Sequence, residues 1–135
     1  MFCLDTSIVI SAINLRPAHI RARLDAELAS RVMIGIPAIV LFEMRYGVAK
    51  SDRRARSEAG LEAFLSLAVT PWSFEPEDAV HAGDIRAELE KAGTPIGHYD
   101  YLIAAQARRR GAALVAANVR EFARVPGLMV VDWGA

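Results

Sequence analysis

The chain has 135 residues, 53% of them hydrophobic, which is length and apolar mass enough for one core without disulfides or a structural metal. Its 16 basic and 16 acidic residues cancel, so no global positive field marks it for nucleic acid. A single cysteine, Cys3, excludes an intrachain disulfide and a thiolate metal site and fits a reducing cytoplasm. No apolar run is long enough to span a bilayer, and Met1 to Leu4 lack the basic lead-in of a signal peptide.

In chain order, Phe2-Cys3-Leu4 reads as a short buried strand ending at Asp5, with a helix from Ile8 to Asn14 behind it. Pro17 suits the first turn of a helix in which Ile20, Leu24 and Leu28 recur at helical spacing. Val32 to Ile36 reads as a second strand, and Pro37 starts a helix through about Ala49. Ser51 or Asp52 is expected to cap the next helix, where Leu61, Phe64, Leu65 and Ala68 form an apolar stripe. That stripe suits a core, a homodimer face or a partner contact.

A strand near Val69 to Phe74 precedes a charged helix after Pro76, with Ala82, Ile85 and Leu89 inward, Arg86 near Glu90, and its end before Gly93. Gly93-Thr94-Pro95-Ile96-Gly97 carries turn chemistry, and a helix from about Tyr99 to Arg110 is closed by Gly111. Its terminal Arg108-Arg109-Arg110 reads first as a solvated helix end and second as an RNA contact. Strands at Ala113 to Ala116 and Leu128 to Val131 complete an alternation that predicts an α/β fold with a parallel sheet. Without repeats or linkers, residues 1–135 form a single domain.

Three acids sit where structure alone explains them poorly. Asp5 directly follows an apolar strand, where open α/β sheets bind ligands at carboxyl ends; a helix cap is the competing explanation. Glu43 interrupts an apolar helix beside Ile39, Val40 and Tyr46, a costly place for a charge unless it pairs with Arg45 or another arginine. Asp100 precedes Ile103 and Ala104 on the core side of its helix, again with a cap as the competitor. Acids from separate elements that converge offer the hard oxygens that magnesium or manganese requires.

Other chemistries fit less well. His81 and His98 are too few and too separated for a histidine metal site, and His19 looks like surface. Neither Ser7 nor Ser11 has the elbow of a serine hydrolase, and there is no glycine-rich phosphate loop. An aspartyl phosphatase would want a second Asp where Ser7 stands.

The whole pattern resembles the PIN-domain ribonucleases, and among them the VapC toxins of toxin–antitoxin pairs. The resemblance rests on Leu4-Asp5-Thr6-Ser7, Glu43-Met44-Arg45-Tyr46-Gly47, Ile85-Arg86-Ala87-Glu88-Leu89 and the run from Gly93 through Tyr99-Asp100 to Ala107. It continues through Asn118-Val119-Arg120-Glu121-Phe122, Val125-Pro126-Gly127-Leu128 and Asp132-Trp133. It implies a three-layer sandwich about a central parallel sheet, and a magnesium- or manganese-dependent endoribonuclease site with Asp5, Glu43 and Asp100 as ligands. Asn118 stands at the family's fourth position, expected to assist a second metal or its water. Activated water then attacks the phosphodiester in line.

The resemblance further implies a small VapB-like antitoxin, operator DNA met only through the antitoxin complex, and RNA as substrate, with the anticodon stem-loop of initiator tRNA the specific expectation. Thr6, Arg86, Tyr46 and Tyr99 are the candidate substrate contacts, since aromatics and arginines read unstacked bases. Ala116 and Ala117 depart from the hydroxyl and amide residues common in the family, as do Ser7 and His98 from its Asn and Pro. A catalytically weakened module that binds RNA and antitoxin is therefore the alternative expectation.

Overall fold

Strand and helix alternate from the second residue onward. In the computed structural model, which describes residues 1–134, the order begins β1 (Phe2–Leu4), α1 (Thr6–Asn14), α2 (Ala18–Ala29), β2 (Ile34–Pro37), α3 (Ala38–Lys50) and α4 (Arg54–Leu65). It continues β3 (Thr70–Trp72), α5 (Pro76–Lys91), α6 (His98–Arg110), β4 (Ala113–Val115), α7 (Val119–Phe122) and β5 (Met129–Val131). The five strands form one sheet in the order β3-β2-β1-β4-β5, with every pairing parallel. Consecutive residues such as Cys3 and Leu4, or Ile34 through Pro37, are all buried, so helices cover both faces of the sheet. The predicted sandwich is the observed one.

From β1 the chain moves outward through β2 and β3, then returns to lay β4 and β5 on the other side of β1. The switch point is therefore the crevice between the carboxyl ends of β1 and β4, where such sheets place ligands. Gly35 fits β2 beneath Trp72: a Cβ there would stand 2.1 Å from the indole, so only glycine lets the β3 tryptophan lie on the sheet. Leu61 and Phe64 are buried in the chain's own core, leaving the α4 stripe little to offer a partner.

Two local expectations are corrected. The position before α4 is occupied by Arg53 with no side-chain cap, because the Ser51 hydroxyl accepts from the Arg53 amide at 3.1 Å and meets Ser57 Oγ at 2.8 Å. The arginines ending α6 are not simply solvated. Arg109 and Arg110 reach back to Asp78, a carboxylate of α5 with no solvent exposure.

Candidate active site

Each expected acid is delivered by the end or inner face of a different element. Asp5 continues β1 in extended backbone (φ −73°, ψ 161°), and its amide donates to Val115 O of the adjacent β4 at 3.0 Å. It occupies the position before α1 but makes no side-chain capping bond, so the competing cap explanation fails. Its carboxylate, 8% exposed, accepts from Ser7 Oγ at 3.3 Å. Glu43, on α3, accepts from Thr6 Oγ1 at 2.8 Å, while Arg45 turns away to Glu62 at 2.8 Å. The arginine partner that would have made Glu43 structural is thus engaged elsewhere.

Asp100 lies in the first turn of α6, after Gly97, whose backbone takes the position before the helix. Asn118 is the exposed residue before α7; its Oδ1 accepts from the Glu121 amide and its Nδ2 donates to Glu121 Oε2. Glu121 Oε1 accepts in turn from the Gly97 amide at 3.0 Å. Glu121 also acts on the Asp100 carboxyl, raising its pKa.

Glu121 was not among the expected site residues. Asn118 and Glu121 are three apart, the spacing of a helix capping box, and in the sequence that local explanation suffices. The missing signal was that both oxygens of its carboxylate receive donors, one of them from a loop on the other side of α6 in the sequence.

Electrostatics tie the acids into one group. Burial raises the Asp5 pKa above its ordinary value, with the charges of Glu43 and Glu121 adding and hydrogen bonds from Thr6 and Ser7 opposing. Asp100 is pushed up to about 7 by burial first, then by the charge of Asp5 and by Glu121. Glu43 contributes to both shifts. Asp5, Glu43, Asp100 and Glu121 are therefore coupled through their charges, acid to acid.

That donor chemistry fits a hard divalent ion such as magnesium, which neutralises carboxylates that otherwise repel. Among the described residues, no three His, Cys, Asp or Glu side chains stand together closely enough to hold a metal ion as they are placed, so binding one requires the acids to draw together. Cys3, fully buried, has its thiol pKa pushed far up by burial and offers no thiolate.

The aromatic expectations divide. Tyr99 on α6 is half exposed and meets Phe42 of α3 edge to face, ring centroids 5.4 Å apart, each ring one residue from an acid of the group. Tyr46 is also exposed, one turn after Phe42, with the Lys50 ammonium over its ring. Arg86 is exposed and pairs with Glu90 at 3.4 Å. Tyr101 is core, its hydroxyl accepting from the Ile96 amide at 3.1 Å. His81 accepts from Arg108 at 3.0 Å, whereas His98 and His19 are exposed. A cavity of about 830 Å³ lies at the other end of α1 beside Arg16, Arg53 and Arg56, away from the acids.

Comparison with known proteins bears on the family and the fold. The PIN domain family model matches residues 2–128. The chain is 42% identical to the tRNA(fMet)-specific endonuclease VapC of Salmonella typhimurium, over 98% of this chain and 97% of that protein. It is 38% identical to ribonuclease VapC2 of Rickettsia felis over 98% of both. The crystal structure of VapBC2 from Rickettsia felis, bound to a DNA fragment from their promoter, superposes with a TM-score of 0.91 at 36% identity, covering 98% of each chain. With its acids at the β1–β4 crevice and its whole length aligned to these proteins, the chain belongs to the PIN-domain family, in its VapC branch.

Proposed function

We propose that this chain is the ribonuclease toxin of a VapBC-type pair: one PIN domain over residues 1–135 that cuts RNA phosphodiester bonds with magnesium, or manganese in its place. The observation that carries the reading is that Glu43 of α3 accepts a 2.8 Å hydrogen bond from Thr6, the residue after Asp5 at the end of β1, with the charges of Asp5, Glu43 and Glu121 all raising the pKa of Asp100. Uncompensated acids at a sheet's switch point are a poor structural choice and a good metal-binding one.

Asp5, Glu43 and Asp100 would hold the ion, with Glu121 and Asn118 beside them. Bound there, a divalent cation lowers the pKa of water and stabilises charge on the phosphodiester. The chain's own groups fix the acids: the Thr6 hydroxyl orients Glu43, the Ser7 hydroxyl orients Asp5, and the Asp5 amide is anchored to β4. Ala116 is buried and brings no hydroxyl, whereas the Ser7 hydroxyl donates to Asp5 at 3.3 Å. The weakened-module reading remains the alternative that the cleavage assay decides.

Phe42, Tyr46 and Tyr99 flank the acids with exposed rings suited to stacking unpaired bases, with Arg86 for phosphate; single-stranded RNA, as in an anticodon loop, is the substrate class they favour. Initiator tRNA is the specific substrate proposed, in line with the name of the Salmonella relative. A VapB-like antitoxin is the proposed partner and operator DNA is reached through it, as in the promoter-bound Rickettsia complex. A cytoplasmic homodimer completes the reading; among the described residues, no helix is long and apolar enough to cross a membrane.

The test is cleavage of a tRNA pool by wild-type protein and Asp5→Asn, with magnesium titrated. Asp5→Asn should lose more than the ~10–100-fold that removal of an outer-shell partner costs, with its melting temperature kept. Equal cleavage by the variant would sink the proposal, and a gel shift without shortening would return the weakened-module reading.

A further inference from the structure

The two ends of α1 are opposite in charge. Acids gather where it begins, whereas at its far end Arg16, Arg53 and Arg56 line the cavity of about 830 Å³ with one acid, Asp52, among them. We propose that this cavity is a second phosphate-binding site for the RNA substrate, in which the three arginines hold a backbone phosphate a few nucleotides from the bond that is cut. The inference deepens the ribonuclease reading above and rests on it.

The acids cannot supply affinity for RNA by themselves. Asp5, Glu43 and Asp100 repel a polyanion until a cation covers them, and the chain's balanced charge gives no long-range pull. Affinity for a phosphate backbone must then come from a local group of free cations. Arg21, Arg23, Arg45, Arg109 and Arg110 each pair with an acid. Among the described residues, Arg16, Arg53 and Arg56 pair with none, not even Asp52, and all three are exposed.

Local structure holds these arginines around one space. Ser57 Oγ lies 2.8 Å from Ser51 Oγ, which accepts from the Arg53 amide at 3.1 Å, so the loop before α4 is tied to its first turn. Arg53 and Arg56, three residues apart, both reach the cavity from there. Arg16 comes from the opposite wall. The chain leaves α1 through Leu15 at a φ of +57°, a left-handed conformation that disfavours a residue with a side chain, and this sharp turn sets Arg16 on the cavity. At the floor, Gly60 lets the two walls approach, since a Cβ there would stand 3.3 Å from Ile13 Cγ2.

The ligand class follows from the donors. A guanidinium is a planar fork that meets two phosphate oxygens at once, and Asn14, Ser51 and Ser57 add neutral polar groups to the same lining. Three arginines against one aspartate leave the lining positive. The nine residues of α1 span ~13 Å, so RNA held at the acids reaches the cavity within a few nucleotides. Phosphate contacts position a nucleic acid without reading it, which leaves base choice to the aromatic rings beside the acids.

The test is the binding of a short fluorescent single-stranded RNA to metal-free protein, followed by anisotropy across a salt series. Arg53→Gln/Arg56→Gln should keep the wild-type melting temperature and bind RNA about tenfold more weakly. The slope of log affinity against log salt should flatten by ~0.7, the value for one phosphate of a single strand. The loss should be equal for two unrelated sequences. Arg16→Gln, on a different element, should flatten the slope likewise, which separates loss of a phosphate contact from a local disturbance of α4.

An unchanged slope, or a loss that depends on base sequence, would overturn the proposal. So would wild-type RNA affinity in variants that have lost antitoxin binding, or calorimetric binding of inorganic phosphate, because the cavity would then serve a protein or a free ion. Cleavage is not read, so an unchanged slope removes the second site and leaves the ribonuclease reading standing. Wild-type protein that binds no RNA would remove both.

Discussion

Asp78 and Asp100 are acids that one fold takes out of water in opposite ways. Asp78 has no exposure, and Arg109 Nε at 2.5 Å, Arg110 Nη1 at 3.0 Å and the Glu75 amide at 2.8 Å all donate to it. Burial alone would raise its pKa, yet these donors hold it below the ordinary carboxylate value. Asp100 is less buried, and burial with the charges of Asp5, Glu121 and Glu43 pushes its pKa up to about 7. Buried charge met by arginine is architecture; buried charge met by more of the same charge waits for something the chain does not itself provide.

The comparison breaks most visibly at Asp78. Asp78→Ala leaves two guanidinium groups without their carboxylate and removes one side of the α5 capping box, so it should cost roughly 3–5 kcal/mol of stability by urea unfolding. Any activity that remains in the folded fraction should cut RNA at the wild-type rate. A variant as stable as wild type would show that the arginine cluster carries no structural weight.

These two sites also differ in how far the sequence disclosed them. Asp5 was legible because a strand of consecutive buried residues runs straight into it, and Glu43 because helical periodicity puts it on an apolar face. Gly111 closed α6 as expected, with a φ of +67° that favours glycine. The Asp78 cluster was invisible: Arg109 lies 31 residues away, and nothing in the sequence reports which helices pack together. Glu121 was hidden in another way, by a local capping pattern sufficient to explain it. Alternation and periodicity disclose the elements and the ends of strands, whereas pairings across elements require the packed fold.

Replacing the charge at each site by its neutral isostere sharpens the contrast. Asp100→Asn should abolish RNA cleavage and yet stabilise metal-free protein at pH 8 by about 1 kcal/mol, a figure discounted for partial exposure, because it removes a repelled charge. Asp78→Asn should destabilise, since it removes an attracted one. A loss of stability in Asp100→Asn, measured by the same unfolding curve, would mean that Asp100 is structural after all.

The smallest effect is the most diagnostic, because the two acids respond to pH with opposite sign. Asp78, depressed, contributes stability that is present above the ordinary carboxylate range and lost as pH falls through its folded pKa. Asp100, raised to about 7, binds its proton more tightly folded than unfolded, so its contribution is full below about pH 4 and lost as pH climbs to about 7. Metal-free protein should therefore melt lower at pH 8 than at pH 5.5, by roughly 2–4 °C. Magnesium should restore that difference at pH 8 and do little at pH 5.5, where protons compete for the same oxygens. An equal magnesium shift at both pH values, or one that survives Asp100→Asn, would locate the binding away from these acids and leave their raised pKa values without a purpose.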